Sequence, residues 1–179
     1  MLKELERPFE KYQSAKHDLL NFASTLSQTQ QTYKPDSETW SVLEVIEHLV
    51  LVEEVSMRGI QKRLEEKSSI KPAGLSTWLR SFLLNTGLRI NLKYKAPSKR
   101  VHPENPQSLV DLKQRWEKSN NVLVQFISGF SVSDLNLPVY RHPRGGDITL
   151  TYGLEFFLEH LNHHLQQIER IKKSEGFPK

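Results

Sequence analysis

Apolar residues along this chain recur by threes and fours in four long stretches, the spacing of helices that bury one face. The first runs from about Leu2 to Leu26, where Leu2, Leu5, Phe9, Tyr12, Leu19, Ala23 and Leu26 form a stripe broken only by Lys16. Pro8 falls inside it, so the helix is expected to start or kink there. The second opens at Ser41 and runs to about Glu66, with Val42, Val45, Leu49, Val52 and Ile60 on one face. Ser41 followed by Glu44 is a capping box, in which each side chain satisfies an orphan backbone N–H. Trp40 and Val45 flank the cap as a hydrophobic staple. The third begins near Ser108, with Asp111 in capping position, and its stripe is Leu109, Leu112, Trp116, Leu123 and Phe126. The fourth runs from about Thr151 to Lys173 along Leu154, Phe157, Leu161, Leu165 and Ile168. Trp40 and Trp116 are expected as core anchors.

The second and third stretches are far apart. Between them Leu75, Trp78, Leu79, Phe82 and Leu83 fit a short amphipathic helix that Gly87 is expected to end or bend. Pro97, Pro103 and Pro106 then demand an extended connection. Before the fourth helix, "LPVYRHPRGGD" carries turn chemistry. No internal repeat and no convincing strand pattern is visible. The expected fold is all-α: a four-helix bundle whose long crossover between helices two and three contains a short extra helix. The 179 residues, 1–179, are expected to form one domain.

Histidines change this picture. A helix turns by about 100° per residue, so Val45, Val52 and Leu49 lie within about 100° of His48, inside one apolar arc. On the fourth helix His164 lies about 40° from His160, beside Phe157 and Ile168, while His163 turns the other way, toward Glu159 and Arg170. The pattern selects His48, His160 and His164 as inward and sets His163 aside. Histidines at i and i+4 share a face one turn apart, close enough to share an ion. Three neutral imidazoles suit Zn²⁺, Ni²⁺ or Fe²⁺ and leave coordination positions open. An inward histidine is also a common core residue, hydrogen-bonded to a carbonyl or a neighbour. From the spacing alone both readings stand.

Composition narrows the chemistry. The chain has no cysteine, so no disulfide, thiolate ligand or cysteine nucleophile comes from the protein. No HExxH, P-loop, dinucleotide fingerprint or G-x-S-x-G is present, and no inward Glu-x-x-His pair of the di-iron kind. The N-terminus shows no signal-peptide pattern and no stretch reaches the roughly 20 apolar residues of a membrane span, so a soluble cytoplasmic protein is expected. From Lys67 to Pro103 there are eight basic residues and no acidic one; the whole chain is +4, so the remainder is net −4. Such a block could meet an anionic substrate, a membrane surface or nucleic acid, or be a solvated face.

The stretches "WSVLEVIEHL", "KAP" and "RHPRGGDITLTYGLEFFLEHLNHHLQQIERI" together resemble the DinB-like superfamily of metal-binding four-helix bundles. That superfamily includes the YfiT-type metal-dependent hydrolases, linked to bacillithiol transferases, and mycothiol-dependent maleylpyruvate isomerases. The likeness runs from Trp40 to Ile171. It implies that His48, His160 and His164 are the three metal ligands. It also implies an enzyme that activates a low-molecular-weight thiol of the bacillithiol type for attack on an electrophile. A metal-dependent hydrolase is the alternative, with Glu44 as a candidate base if its cap releases it. A third reading is non-catalytic: a metal-stabilised bundle, with His163 or His142 as a fourth ligand, that binds an anionic partner. Arg141, Arg144 and Tyr94 are expected substrate contacts. The expected partner is a small-molecule substrate rather than nucleic acid, and the bundle is compatible with a homodimer.

Overall fold

A computed structural model describes residues 1–89, 99–104, 107–143 and 145–179. Among the described residues the α-helices are α1 (Lys3–Thr25), α2 (Gln28–Thr32), α3 (Val42–Glu65), α4 (Leu75–Arg89), α5 (Leu109–Gly129) and α6 (Leu150–Lys172). A short antiparallel hairpin, β1 (Tyr140–His142) and β2 (Gly146–Ile148), precedes α6. The expected all-α bundle is what forms: α1 packs on α6, α3 packs on α5 and α6, and α4 covers α6 and β2 from the crossover.

Local chemistry sets the boundaries. The Ser41–Glu44 capping box is present in full and opens α3. Ser108 caps α5, and the Thr149 side chain accepts from the Tyr152 N–H to open α6. A second capping box, Ser27 with Gln30, supports the one-turn α2.

Three expectations are corrected. α1 neither starts nor breaks at Pro8 but runs through it. Proline removes one N–H, whose acceptor would be the carbonyl of Glu4 in the exposed first turn, where water can take its place. Gly87 does not end α4; it lies buried inside the helix. The hairpin escaped notice because strands of three residues are too short to display alternation. Its register pairs Tyr140 with Ile148 and His142 with Gly146, which takes a φ of 68° that glycine tolerates.

The core joins Leu5, Tyr12 and Leu19 of α1 to Val42, Val45, Ile46 and Ile60 of α3. Leu112, Trp116, Leu123 and Ile127 of α5 and Leu154, Phe157, Leu161 and Ile168 of α6 complete it. α3 is the central helix. Between Val42 and Val50 only Glu44 is not buried.

That position forces α3 to carry polar groups indoors. Glu53 is fully buried and accepts from Tyr12 Oη and, at 2.8 Å, from Trp116 Nε1. Lys16, the break in the first stripe, is buried as well; its Nζ lies 3.8 Å from Glu53 and donates to Asn120 at 2.9 Å. A buried charge needs such partners. Burial lowers the Lys16 pKa, an effect the Glu53 charge opposes. Burial raises the Tyr12 hydroxyl well above its ordinary value, and Glu53 adds to this. Because hydrogen bonds to charged groups contribute about 1.5–3 kcal/mol, Tyr12→Phe is expected to destabilise the fold by about that amount. Urea unfolding should show a lower midpoint at unchanged slope.

Candidate metal centre

His48 projects from the buried face of α3, and His160 and His164 lie one turn apart on α6. His48 and His164 are buried and His160 is half-buried. Their Nε2 atoms converge: His160 Nε2 lies 3.3 Å from that of His48 and 3.1 Å from that of His164. One ring nitrogen from each of the three falls within 4.8 Å of the others.

The far side of two rings is anchored. His48 Nδ1 lies 2.6 Å from the carbonyl of Val101, at the end of the crossover. A carbonyl only accepts, so this nitrogen carries the proton and Nε2 presents a lone pair. His164 Nδ1 donates to Gln167 Oε1 at 2.8 Å, with the same result. Two lone pairs therefore face His160 Nε2, which has at most one proton to offer. A cation among the three satisfies all of them. Nitrogens about 2.0–2.1 Å from one tetrahedral Zn²⁺ would lie roughly 3.4 Å apart, close to the separations found.

Burial keeps the rings neutral. It pulls His48 down to about 4, with the partial charges of His102 and His163 adding to the effect and the Val101 bond opposing it. It pulls His164 down to about 3, with His48 contributing. His160 is held well below its ordinary value by burial and by the neighbouring His164 and His48. Neutral imidazole is the ligating form. The three-histidine cluster could hold a metal ion.

Aromatic rings wall the cluster. Trp40 sits 5.0 Å from the His48 ring and 6.2 Å from that of His164, centroid to centroid. Phe156 stacks on His160 at 5.3 Å. Trp116 is the core anchor expected of it, whereas Trp40 is half-buried, packed on the core with its ring against the histidines. His102 meets the edge of Trp40 at 5.4 Å and is exposed.

Among the described residues no further His, Asp or Glu joins the three. His163, half-buried with its ring 5.3 Å from that of His164, stays outside the group. His142 faces inward from β1, packs on Phe156 at 4.4 Å, and its Nδ1 accepts from the Gly145 N–H at 2.8 Å. Glu44 is engaged in the cap and by Lys34 at 3.1 Å. Arg141 lies on the opposite face of β1 from Tyr140 and His142; its side chain is 81% exposed and reaches Asp147 at 4.0 Å. Tyr94 and Arg144 lie outside the described residues.

Sequence periodicity found the three rings but not what orients them. Gln167 could have been found, three residues beyond His164 on the same face. The Val101 carbonyl could not, since a backbone acceptor has no residue signature.

A family model described as the DinB superfamily matches residues 11–168, and the chain belongs to that superfamily. An uncharacterized protein of Bacillus subtilis (strain 168), YuaE, is 26% identical to it over 162 residues, covering 90% of this chain and 95% of that protein. No solved structure matches it significantly.

Residues that orient a metal-bound histidine typically affect metal affinity by about 10–100-fold. Gln167→Ala is expected to weaken Zn²⁺ binding by about that factor in competition with a chromophoric chelator. His163→Ala should leave it unchanged.

Proposed function

We propose that this chain is a divalent-metal-dependent enzyme in which His48, His160 and His164 hold the ion. Zn²⁺ is the first choice, with Ni²⁺ or Fe²⁺ as the other candidates. The proposed reaction transfers a low-molecular-weight thiol of the bacillithiol type to an electrophilic small molecule. The observation that carries it is the convergence of three neutral Nε2 atoms without a fourth His, Asp or Glu among the described residues. A closed structural site is ordinarily four-coordinate, whereas a catalytic one keeps a position open.

A bound divalent ion supplies Lewis acidity, bringing the pKa of a thiol or a water into the neutral range. The residues of the chain do the rest. The Val101 carbonyl and Gln167 hold the His48 and His164 rings in the ligating tautomer. Trp40 and Phe156 flank the rings with apolar surface. The thiol S–H gives up its proton to solvent, and the sulfur forms the new bond to the electrophilic carbon. The bond from that carbon to its leaving group, halide in the case of an aryl halide, breaks and the leaving group departs to solvent. The chain has no cysteine, so the sulfur belongs to the cosubstrate.

What favours the thiol over water as nucleophile is the carboxylates. Hydrolysis calls for a general base within hydrogen-bond reach of the attacking water. Glu44, the candidate, is engaged by the Ser41 N–H at 2.7 Å and by Lys34, and no carboxylate joins the histidine group among the described residues. A thiol acidified by the ion needs no such base. Arg141 and Arg144 are proposed to draw an anionic substrate toward the site, and Tyr94 to contact it. A single domain spanning 1–179 and a cytoplasmic setting, where such thiols stay reduced, complete the proposal.

Protein purified without added metal or chelator should contain about one Zn, Ni or Fe per chain by elemental analysis. His48→Ala and His160→Ala should lose it while circular dichroism still reports a helical fold, and His163→Ala should keep it. Wild type that remains metal-free after Zn²⁺ is restored would falsify the proposal. The loaded enzyme should then convert a bacillithiol-type thiol and an aryl halide to the thioether. Ester hydrolysis without thiol, in place of that reaction, would assign the hydrolase instead.

A further inference from the structure

α4 carries apolar residues on two of its sides. One side packs on α6 and β2. The other carries Leu75, Trp78, Leu79, Phe82 and Leu83, spaced to form one stripe, and all five are at least half exposed. Trp78 and Phe82 stack on each other at 5.7 Å. Leu75 is 89% exposed. The stripe leaves on the order of several hundred Å² of contiguous apolar surface, as much as the largest patch on an ordinary monomer. A contiguous exposed apolar patch of this extent marks a surface for a partner or a membrane.

The flanks are basic. A cleft of about 450 Å³ beside the start of α4 is lined by Arg63, Lys71 and Arg80, with Glu66 and Asp147. Arg63 is committed to Asp147 at 3.0 Å. Lys71 and Arg80 have no acidic partner among the described residues, and the sequence from Lys67 to Pro103 contains no acidic residue to provide one.

We propose that the exposed face of α4 is a docking surface for an anionic lipid bilayer, with Trp78, Phe82 and the three leucines entering the interface and Lys71 and Arg80 meeting the headgroup phosphates. An aromatic and leucine face beside unpaired cations is the pattern of helices that lie in the plane of a membrane surface. Among the described residues no helix is long and apolar enough to cross a membrane, so the association would be peripheral. The charges argue against a second copy as the occupant. A two-fold contact sets the same patch against itself, so Lys71 and Arg80 would gather beside their own duplicates. Of the acids lining the same cleft Asp147 is already held by Arg63, which leaves Glu66 to offset two cations. Three of the five apolar residues are leucines, on which no nucleic-acid base stacks.

The test is sedimentation of the full chain with vesicles of phosphatidylcholine alone and of phosphatidylcholine mixed with phosphatidylglycerol. Binding to the mixed vesicles only is expected, weakening as salt rises. Phe82→Glu should reduce it by at least about tenfold, and Lys71→Ala or Arg80→Ala by about fivefold each at low salt. Tryptophan emission should shift to the blue on binding, and a Trp78→Phe variant, which keeps Trp40 and Trp116, should lose that shift. The proposal is overturned by absence of binding to the mixed vesicles, by equal binding to both kinds, or by an undiminished signal in folded Phe82→Glu. It is also overturned by a dimer that Phe82→Glu splits and that ignores vesicles, which would make the face a contact between copies.

Discussion

α3 brings charged and polar side chains into the bundle, and much of the architecture follows from the partners that Glu53 and His48 find there. The helix is buried nearly all round at its N-terminal half, so its polar residues cannot retreat to solvent. Glu53 recruits a tyrosine from α1, an indole from α5 and a lysine from α1. His48 recruits a carbonyl from the crossover and faces two imidazoles from α6. Both are residues that an apolar interior penalises when left alone. Each ties α3 to different elements, the glutamate to the α1 and α5 side and the histidine to the α6 side.

The two solutions differ in kind. Around Glu53 donors meet an acceptor: Tyr12 and Trp116 both donate to Oε2. Around the histidines, two lone pairs meet a nitrogen with at most one proton to offer. Nothing in protein chemistry alone completes that arrangement, and the anchoring of Nδ1 on two rings prevents them from turning away to relieve it. Two lone pairs held toward one ring are what a bound cation would satisfy.

The long helices were legible because their stripes persist for five or six turns, and His48, His160 and His164 were legible because they sit on those stripes. Elements that depend on few residues were not. Three-residue strands have no period to read, and the passage of α1 through Pro8 and of α4 through Gly87 depends on surroundings rather than on those residues. Glu53 looks in sequence like its exposed-type neighbour Glu54; only Lys16, intruding on the first stripe, hinted that a charge lay inside. The exposed stripe of α4 was visible as an amphipathic pattern, but a pattern does not say which of its faces the bundle will cover. In three dimensions the bundle covers the opposite side.

The bond from His48 to the Val101 carbonyl joins two things that seem separate, the chemistry of a ligand and the course of a connecting segment. The crossover is more than a tether between α3 and α5. Its end at Val101 sets which nitrogen of His48 faces the cluster. A chain with all three histidines intact but a differently routed crossover would keep the rings and lose their alignment. Variation in length or sequence around Val101 is therefore constrained, even though none of the three clustered histidines resides there.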